Sequence, residues 1–473
     1  MEKILKKIWI WFDDRSGLSE VVSSLAKHKV PPNVNWSYVF GSATLFCLIL
    51  QIVTGISLSL LYQPASDTAY QSLQYISNVV PLGSVLRGLH YFGASGMILL
   101  MGIHMIRVFV TASYKYPREL SWISGVFLFA LTVFMGFTGQ LLRWDDAAIW
   151  TTSLAAEQVG RVPLIGDTLA HFLMAGKTIG GETLTRFFSF HVFFIPAILF
   201  GFLGFHLYLV IRNGISEPPK INRPVDPTTY RSWYEKMLEK RGVPFWPDAA
   251  WKDVVFSVLA LALIIFLAIY VGPKQLGGPP DPASVEVTPK PDWYLLWIFA
   301  MFALMPPEIE SYVIFIGPLL VGIVLFLIPL IANAGERSPF KRPWSMAAVI
   351  AIITFVISFW RMGVISPWVP AFKTEPLPAS VVPAINPAAA RGADLFYTKR
   401  CQYCHKIGKY GGLKGPDLST VANRLTPDQI TIRIVNGSKE MPAYGGFLTD
   451  KELDDLVAFL KTRTVRNKAS KNK

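Results

Sequence analysis

The chain has 473 residues, of which 52% are hydrophobic and only 16% are charged, and its formal net charge is +13. A soluble protein usually carries about a quarter charged residues, so these values exclude an ordinary soluble globular protein. The positive charge does not indicate nucleic-acid binding, because it is concentrated in alternate segments between long uncharged stretches.

The first 35 residues are charged and amphipathic, and they do not resemble a cleavable signal sequence. Hydrophobic side chains recur at Ile4, Ile8 and Phe12 among lysines. This pattern is typical of a helix that lies on a membrane surface. We therefore interpret residues 1–35 as a surface helix and tail.

Seven apolar stretches follow that are long enough to cross a bilayer, which takes about 20 residues. Buried helices of a large soluble protein are the alternative, and seven such stretches argue against it. The N-terminal tail and every second loop hold most of the Lys and Arg, so the positive-inside rule puts the N-terminus in the cytoplasm. Seven crossings then put the C-terminal part on the periplasmic side of a bacterial inner membrane. The stretches lie at roughly 36–62, 84–111, 120–141, 184–211, 253–272, 311–333 and 344–366.

Four of the seven histidines lie inside these stretches, as the pair His90 and His104 on the second and the pair His191 and His206 on the fourth. Ionisable residues in a bilayer interior are costly and usually functional. A single histidine could be a helix-to-helix hydrogen bond, but spacings of 14 and 15 residues are close to four helical turns, or roughly 21–23 Å along the axis. The two stretches run in the same direction, so His90 meets His191 near the outer surface and His104 meets His206 near the cytoplasmic surface. The sequence therefore predicts two haems b, each held by two histidines.

Glycines repeat at a matching interval on two other stretches. Gly41 and Gly55 on the first, and Gly125 and Gly139 on the third, are each 14 residues apart. A flat macrocycle inside a helical bundle needs neighbouring helices without side chains where it packs, whereas small-residue helix packing is the simpler alternative. The matched interval favours haem packing.

Two arginines lie one turn from a predicted ligand. Arg87 precedes His90 by three residues, and Arg107 follows His104 by three residues. Each can reach the carboxylates at a haem edge, so we take both as candidates for binding the propionates. Pro196 should kink the fourth stretch between its two histidines.

The loop between the fifth and sixth stretches contains Pro291-Asp292-Trp293-Tyr294, on the outer side by the topology above. A carboxylate there can accept a proton from a hydroquinone as its electron leaves. The tyrosine can bind an oxygen and the tryptophan can pack the wall. These four residues alone are a weak signal, because such strings are common at membrane interfaces.

Residues 367–386 are rich in Pro and Ala, which predicts a semi-stiff linker, and residues 387–473 are polar and predict a small helical domain.

The C-terminal domain contains Cys401-Gln-Tyr-Cys404-His405, the pattern of covalent c-type haem attachment, in which the thiols bond the porphyrin and the histidine ligates the iron. A zinc site would need a second Cys or His pair, and none lies downstream. Met441 is the only methionine after this motif, so it is the predicted sixth ligand.

Together these features resemble the cytochrome b family of bc-type complexes over nearly all of residues 1–366. Residues 36–215 resemble the cytochrome b subunit of the b6f complex, and residues 216–366 resemble its separate subunit IV. Residues 387–464 resemble a class I cytochrome c, including the loop Gly415-Pro416-Asp417-Leu418 at the haem edge. The motifs that carry the membrane resemblance are Val30-Pro31-Pro32-Asn33-Val34-Asn35, Arg87-Gly-Leu-His90, Tyr116-Pro117-Arg118-Glu119-Leu120, the motif at 291–294 and Ser338-Pro339-Phe340-Lys341-Arg342-Pro343.

The resemblance implies an all-α fold, a seven-helix transmembrane bundle with a small cytochrome c domain, in a homodimeric respiratory complex. It implies quinol oxidation at an outer site and quinone reduction at an inner site, with proton translocation. One electron would pass to an iron–sulfur protein and then to haem c, and the other would cross through the haems b. The chain has no Cys and His set for a Rieske cluster, so that protein is expected to be a separate chain. A soluble or membrane-bound acceptor would take electrons from haem c.

Three positions depart from the family pattern. Asp292 stands where glutamate is commonest, which suggests a different quinone such as menaquinone. Arg143 precedes Trp144-Asp145 where proline is usual. Val39 stands where the b6f branch has a cysteine that anchors an extra haem, and Cys47 lies too far along the helix to replace it. We therefore expect no covalently attached haem at Val39.

The leading hypothesis is the cytochrome b–c subunit of a quinol:cytochrome c oxidoreductase, catalytic only with a separate Rieske protein. The second is a quinol dehydrogenase that feeds another periplasmic reductase without bifurcation. The third is a non-catalytic electron-relay anchor. The motif at 291–294 argues against the third, since a relay needs no quinol pocket.

Overall fold

The computed structural model describes residues 1–176, 179–280, 289–366, 374–382, 386–412, 415–437, 441, 444 and 448–464. Regular structure in these ranges is almost entirely α-helical, with two short two-stranded sheets. The chain forms two compact units. The larger unit comprises residues 1–280, 289–295 and 305–358, and the smaller one comprises 296–304 and the described residues from 359 onward.

Two helices precede the first membrane span, namely α1 (Glu2–Ser16) and α2 (Leu18–Lys27). The sequence predicts one amphipathic helix here. The structure has two, because Gly17 ends α1 in a left-handed conformation with φ of 63°, which glycine adopts without a Cβ clash. The apolar side chains of α1, including Trp9 and Phe12, are exposed.

Among the described residues, seven helical spans are long and apolar enough to cross a membrane, which confirms the predicted number. They are α3 (Phe40–Ser59), α5 (Gly83–Val110), α6 (Glu119–Leu141), the combined span of α9 (Gly181–Ser189) and α10 (Ile195–Asn213), α12 (Ala250–Tyr270), α14 (Pro307–Ile331) and α15 (Pro343–Ile365).

The fourth span is not a continuous α-helix. Phe190–Phe194, which includes His191, forms a π-helical turn between α9 and α10, and the Ile195 N–H bonds to the Phe190 carbonyl. Pro196 is at the start of α10 and has no N–H to donate to the preceding turn. The distortion predicted at this proline therefore takes the form of a wider turn just before it.

Packing in the larger unit pairs each histidine-bearing helix with a glycine-bearing helix. α3 packs on α5, α6 packs on α10, and α12 packs against α5. Two strands, β1 (Lys29–Val30) and β2 (Val243–Pro244), pair antiparallel and join the segment before α3 to the segment before α12. The remaining helices of this unit are α4 (Ala69–Asn78), α7 (Asp146–Gly160), α8 (Gly166–Met174) and α11 (Tyr230–Arg241).

The smaller unit has its own apolar core, in which α16 (Pro387–Thr398) packs on α19 (Asp450–Lys461). Gly392 contacts the Asp455 backbone so closely that no Cβ would fit, and the Phe396 and Phe459 rings are 5.8 Å apart. Residues 367–373 and 383–385 of the predicted linker lie outside the described residues. The elements are α13 (Leu296–Ala303), α16 (Pro387–Thr398), α17 (Cys401–Cys404), α18 (Pro427–Asn436), α19 (Asp450–Lys461), β3 (Lys406–Ile407) and β4 (Tyr410–Gly411).

Candidate functional site

The histidine pair that the sequence predicts near the outer surface, called the outer pair below, comes together between α5 and the π-helical turn. The ring centroids of His90 and His191 are 6.2 Å apart, and the ring planes are at 74°. Two imidazoles that ligate one metal ion from opposite sides, with bonds of about 2 Å, have ring centres roughly 6 Å apart. The spacing of this pair therefore fits two ligands of a single iron.

Each predicted glycine faces one of the predicted histidines. The sequence predicts that these glycines make space for a macrocycle, and the structure adds that they lie directly against the imidazole rings. A side chain at Gly41 or Gly139 would displace the ring, since a Cβ normally stays beyond about 3.4 Å from such atoms. The distances from a Cβ built on the glycine to the nearest ring atom are 3.0 Å for Gly41 and His104, 3.2 Å for Gly55 and His90, 3.6 Å for Gly125 and His206, and 2.7 Å for Gly139 and His191.

Three of these histidines share a hydrogen bond with a hydroxyl group on the facing helix. The sequence analysis did not select these hydroxyl residues, although each directly precedes one of the predicted glycines. The Thr-Gly and Ser-Gly pairs were therefore the signal that could have found them. The distances to histidine Nδ1 are 2.9 Å from Thr54 Oγ1 to His90, 2.9 Å from Ser124 Oγ to His206 and 3.1 Å from Thr138 Oγ1 to His191.

Arg107 is a buried guanidinium with unused donors near the inner pair. Its Nε and Nη2 have no hydrogen-bond partner among the described residues. Its Nη1 lies 3.3 Å from Ser113 Oγ, and its Cζ lies 3.5 Å from the centre of the Tyr38 ring. A buried cation with free donors needs an anion, so Arg107 fits a haem carboxylate at this end.

At the outer end, Arg143 joins Arg87 as a candidate for binding a haem carboxylate. Arg87 already donates to Ser77 Oγ at 2.5 Å and to the Lys274 carbonyl at 3.2 Å. Arg143 lies 3.3 Å from Asp145, and its buried Nε has no partner among the described residues. The sequence marked Arg143 only as a departure from the family, because its burial depends on the fold.

The tetrapeptide 291–294 lies against α5 and α6. The Asp292 N–H donates to Gln140 Oε1 at 3.4 Å, and Trp293 Nε1 donates to Ser95 Oγ at 3.2 Å. The Tyr294 ring contacts Gly136, where no Cβ would fit. Gln140 directly follows Gly139, which faces His191, so the tetrapeptide lies within about one helical turn of the outer histidine pair.

Asp292 has a cationic partner that the sequence analysis missed. Its carboxylate lies 3.2 Å from Lys274 Nζ, and its side chain is 15% exposed. Burial, and then the nearby Asp292 carboxylate, raise the pKa of Tyr294 well above its ordinary value. The tyrosine hydroxyl therefore stays protonated and can act as a hydrogen-bond donor beside the Asp292 side chain.

The C-terminal motif lies on α17 and at its end. Cys401, Met441 and Tyr444 pack against the same apolar core. Burial raises the pKa of the Cys401 thiol to about 12. Redox-active dithiols instead have a lowered thiol pKa, so the Cys401 thiol does not have the properties of a redox-active dithiol.

His405 is held in the protonation state that a metal needs. Its Nδ1 lies 2.9 Å from the carbonyl oxygen of Pro416, and a carbonyl only accepts. Nδ1 therefore carries the hydrogen, which leaves the Nε2 lone pair for iron. Gly415 contacts the ring so closely that no Cβ would fit. The loop predicted to line a haem edge thus orients the proposed axial histidine.

These features define a multi-pass membrane protein with the ligand arrangement of an electron-transfer cytochrome. Residues 25–214 match the family described as Cytochrome b/b6/petB, and residues 387–460 match the family described as Cytochrome C oxidase, cbb3-type, subunit III. The chain belongs to the cytochrome b/b6 family and carries a cytochrome c domain after it. The two domains imply haem b and haem c as cofactors.

Relatives and a solved structure agree with this assignment. The chain is similar to the "Menaquinol:cytochrome c reductase cytochrome b subunit" of Bacillus subtilis (strain 168), with 40% identity over 46% of this chain and 100% of the relative. It is similar to "Cytochrome b6" of Crocosphaera subtropica, with 37% identity over 45% of this chain and 96% of the relative. A solved structure, "Hyperthermophilic respiratory Complex III", matches with a TM-score of 0.63 and 25% identity, over 75% of this chain and 94% of that one.

Proposed function

We propose that this chain is the cytochrome b–c subunit of a bc-type quinol:cytochrome c oxidoreductase that uses menaquinol. It oxidises quinol at an outer site and passes electrons across the membrane and outward to its own haem c. The relatives named as menaquinol:cytochrome c reductase subunits support the class and the quinone. The observation that carries the proposal is the position of Asp292 beside the outer histidine pair.

Oxidation of one quinol releases two protons and two electrons. The Asp292 carboxylate accepts one of these protons as general base, and the other passes to water at the outer surface. Lys274, at 3.2 Å, balances the carboxylate charge. The Tyr294 hydroxyl donates a hydrogen bond to a quinol oxygen. Trp293, fixed to Ser95, forms the wall of the pocket, and Pro291 sets the turn into it.

When bound, the haems supply one-electron carriers at fixed positions. His90 and His191 would hold the outer haem b, and His104 and His206 the inner one. Arg87 and Arg143 would bind propionates at the outer end and Arg107 at the inner end. Cys401 and Cys404 would attach haem c, with His405 and Met441 as axial ligands. In this proposal Val39 attaches no further haem.

A carboxylate inside the membrane is a candidate for quinone reduction at the inner site. Ser42 Oγ donates to Asp253 Oδ1 at 2.6 Å, and both residues lie at the ends of spans that are cytoplasmic in the predicted topology. Ionisable residues in spans usually serve transport or proton transfer. Asp253 can supply a proton to a quinone that is being reduced.

The proposal divides the chain by role. Residues 1–35 lie on the membrane surface, 36–215 hold the haems b, 216–366 contribute the quinol motif, 367–386 link, and 387–473 carry haem c. A separate Rieske iron–sulfur protein takes the first electron, and the complex is a homodimer. The N-terminus is cytoplasmic and the cytochrome c domain is periplasmic.

Purification of the intact complex through a tag on this chain tests the proposal. We expect a copurifying iron–sulfur subunit with a Rieske electron paramagnetic resonance signal, bound menaquinone and menaquinol:cytochrome c reductase activity. A complex that lacks the iron–sulfur subunit and passes electrons only to a different periplasmic reductase would overturn it.

A further inference from the structure

We infer that Thr54, Ser124 and Thr138 are positioning residues that fix the protonation of the histidine ligands, and that a missing fourth hydroxyl makes the two haem b sites unequal. This rests on the proposed function, in which His90, His104, His191 and His206 ligate haem.

At His191 a backbone carbonyl determines which ring nitrogen carries the hydrogen. Its Nδ1 lies 3.0 Å from the carbonyl oxygen of Met135. A carbonyl oxygen has no hydrogen to donate, so Nδ1 must carry one. The Nε2 lone pair is then available to a metal. Thr138 Oγ1, at 3.1 Å, is a second acceptor on the same side of the ring.

At His90 and His206, the hydroxyl group itself shows that Nδ1 carries the hydrogen. Thr54 Oγ1 donates to the Leu50 carbonyl at 2.7 Å, and Ser124 Oγ donates to the Ser121 carbonyl at 3.1 Å. A hydroxyl has one hydrogen, so its remaining interaction with the imidazole is as an acceptor. His90 and His206 therefore also donate from Nδ1 and keep Nε2 free for iron.

Each hydroxyl residue directly precedes a glycine, so one dipeptide both makes room for the imidazole ring and supplies its hydrogen-bond partner. The glycine lets the imidazole lie against the helix backbone. The preceding residue is rotated by about 100° around the helix, so its hydroxyl reaches the edge of the ring where Nδ1 lies. Thr54-Gly55, Ser124-Gly125 and Thr138-Gly139 follow this pattern.

The fourth position breaks the pattern. Phe40 precedes Gly41, and the His104 ring has no hydroxyl partner among the described residues. The outer site thus has two hydroxyl-supported ligands and the inner site has one. An acceptor at Nδ1–H makes an imidazole a more basic ligand, which stabilises ferric over ferrous iron. The hydroxyl groups should therefore lower the midpoint potential more at the outer site than at the inner one.

Redox titration of haem b in membranes that contain the whole complex tests this inference. Thr54→Val should raise the outer midpoint potential and leave the inner one unchanged. Thr138→Val should shift the outer value less, because the Met135 carbonyl remains. Ser124→Ala should raise only the inner value. Thr54→Ser, which keeps the hydroxyl, should restore the original value.

A matched control is available on the same helix. Thr44 is also buried, and its hydroxyl donates to the Phe40 carbonyl at 2.8 Å, but it bonds no histidine among the described residues. Thr44→Val should leave the outer potential unchanged. Loss of the outer haem in Thr54→Val, with retention in Thr54→Ser and Thr44→Val, would also support the positioning role.

Unchanged potentials and haem content in all three hydroxyl variants would overturn the inference. His90→Leu separates this failure from failure of the ligand assignment, because it should remove one titration wave and so identify the outer haem. If His90→Leu and His191→Leu both keep two haem b waves, the ligand assignment itself is wrong.

Discussion

The two ends of the helical bundle, which the sequence predicts to be the outer and the inner end, share one repeat but have different surroundings. At both ends a glycine faces each histidine ring. Beside the outer pair lie a carboxylate with a lysine partner and a protonated tyrosine. Beyond the inner pair lie arginines whose donors are already used by backbone carbonyls, since Arg118 bonds Gly214 at 2.8 Å and Arg342 bonds Val110 at 3.3 Å.

This difference follows from where the helices end. The Arg118 side chain donates to carbonyls at the C-terminal end of α10, and the Arg342 side chain donates to carbonyls at the C-terminal end of α5. Unpaired carbonyls at helix ends carry partial negative charge. Nearby, Arg337 pairs with Glu217 at 2.6 Å, and both side chains are buried. Arg118, Arg337 and Arg342 therefore stabilise the fold, whereas in the proposed function the Asp292 carboxylate exchanges a proton. The repeat positions the ligands, and the surrounding loops give each end its chemistry.

The largest expected effect tests whether the two ends bind haem independently. His90→Leu should remove the outer haem b and leave the inner one, because the two sites use different ligands. Pyridine haemochrome analysis should change from two haems b per haem c to one. His171→Leu, outside the spans on α8, is the control and should not alter the ratio. A normal ratio in His90→Leu would contradict the assignment.

The next effect concerns the chemistry of the outer end alone. Asp292→Asn should slow quinol oxidation by about 10² or more, the usual scale for loss of a general base. Turnover with menaquinol and cytochrome c measures this, and the haem b spectra should be unchanged. Asp248→Asn, at the exposed end before α12, serves as control. Near-normal turnover in Asp292→Asn would rule out its role as the base.

Removal of the buried ion pair at the inner end should lower the stability of the complex. Glu217→Gln leaves the buried Arg337 without a counter-charge, which costs about 3–5 kcal/mol when one partner of a buried pair is removed. Thermal inactivation of the purified complex should occur at a clearly lower temperature. Glu157→Gln removes a carboxylate that is 58% exposed and should cost at most about 1 kcal/mol. Equal effects of the two variants would show that the inner charges are not structural.

The ligand prediction for the cytochrome c domain can be tested separately from the two haem b sites. Met441→Ala should lower the haem c midpoint potential, because a thioether ligand favours the reduced state relative to its replacement. The haem should remain covalently bound through Cys401 and Cys404, as haem staining after denaturing electrophoresis would reveal. An unchanged potential would indicate a different sixth ligand.

The smallest effect distinguishes a hydrogen-bond donor from a base within the outer site. Tyr294→Phe removes one neutral hydrogen bond, worth about 0.5–1.5 kcal/mol, so turnover should fall by roughly tenfold at most. Because burial raises the Tyr294 pKa far above neutrality, the hydroxyl stays protonated through the working range. The shape of the pH profile should therefore not change. A new or lost titration limb would show that Tyr294 itself exchanges the proton.

The sequence was sufficient for features that repeat with the helical period. The seven spans were predicted because each is long and apolar, and the spacing of the histidines and glycines was visible because helical geometry turns sequence intervals into shared faces. The structure brings His90 and His191 together as that geometry predicts. The prediction of a single N-terminal helix is wrong only at Gly17, where one left-handed residue divides the segment into two helices.

Residues whose roles depend on tertiary neighbours could not be found in this way. Thr54 and Thr138 resemble any hydroxyl residue in a span until the facing helix supplies a histidine. Lys274 lies in a loop 18 residues before Asp292, and only the fold brings its Nζ within 3.2 Å of that carboxylate. The unpartnered Nε of Arg143 likewise depends on burial, which a single sequence does not show.

The π-helical turn at Phe190–Phe194 lengthens the fourth membrane span by one residue between its two histidines. His191 and His206 are 15 residues apart, yet they face Gly139 and Gly125 on α6, which are 14 apart. Such turns behave as one-residue insertions in an α-helix, so the turn absorbs the additional residue and both rings stay opposite their glycines. In an alignment with chains that have 14 residues between these histidines, the gap therefore belongs inside this membrane span and not in the loop before it.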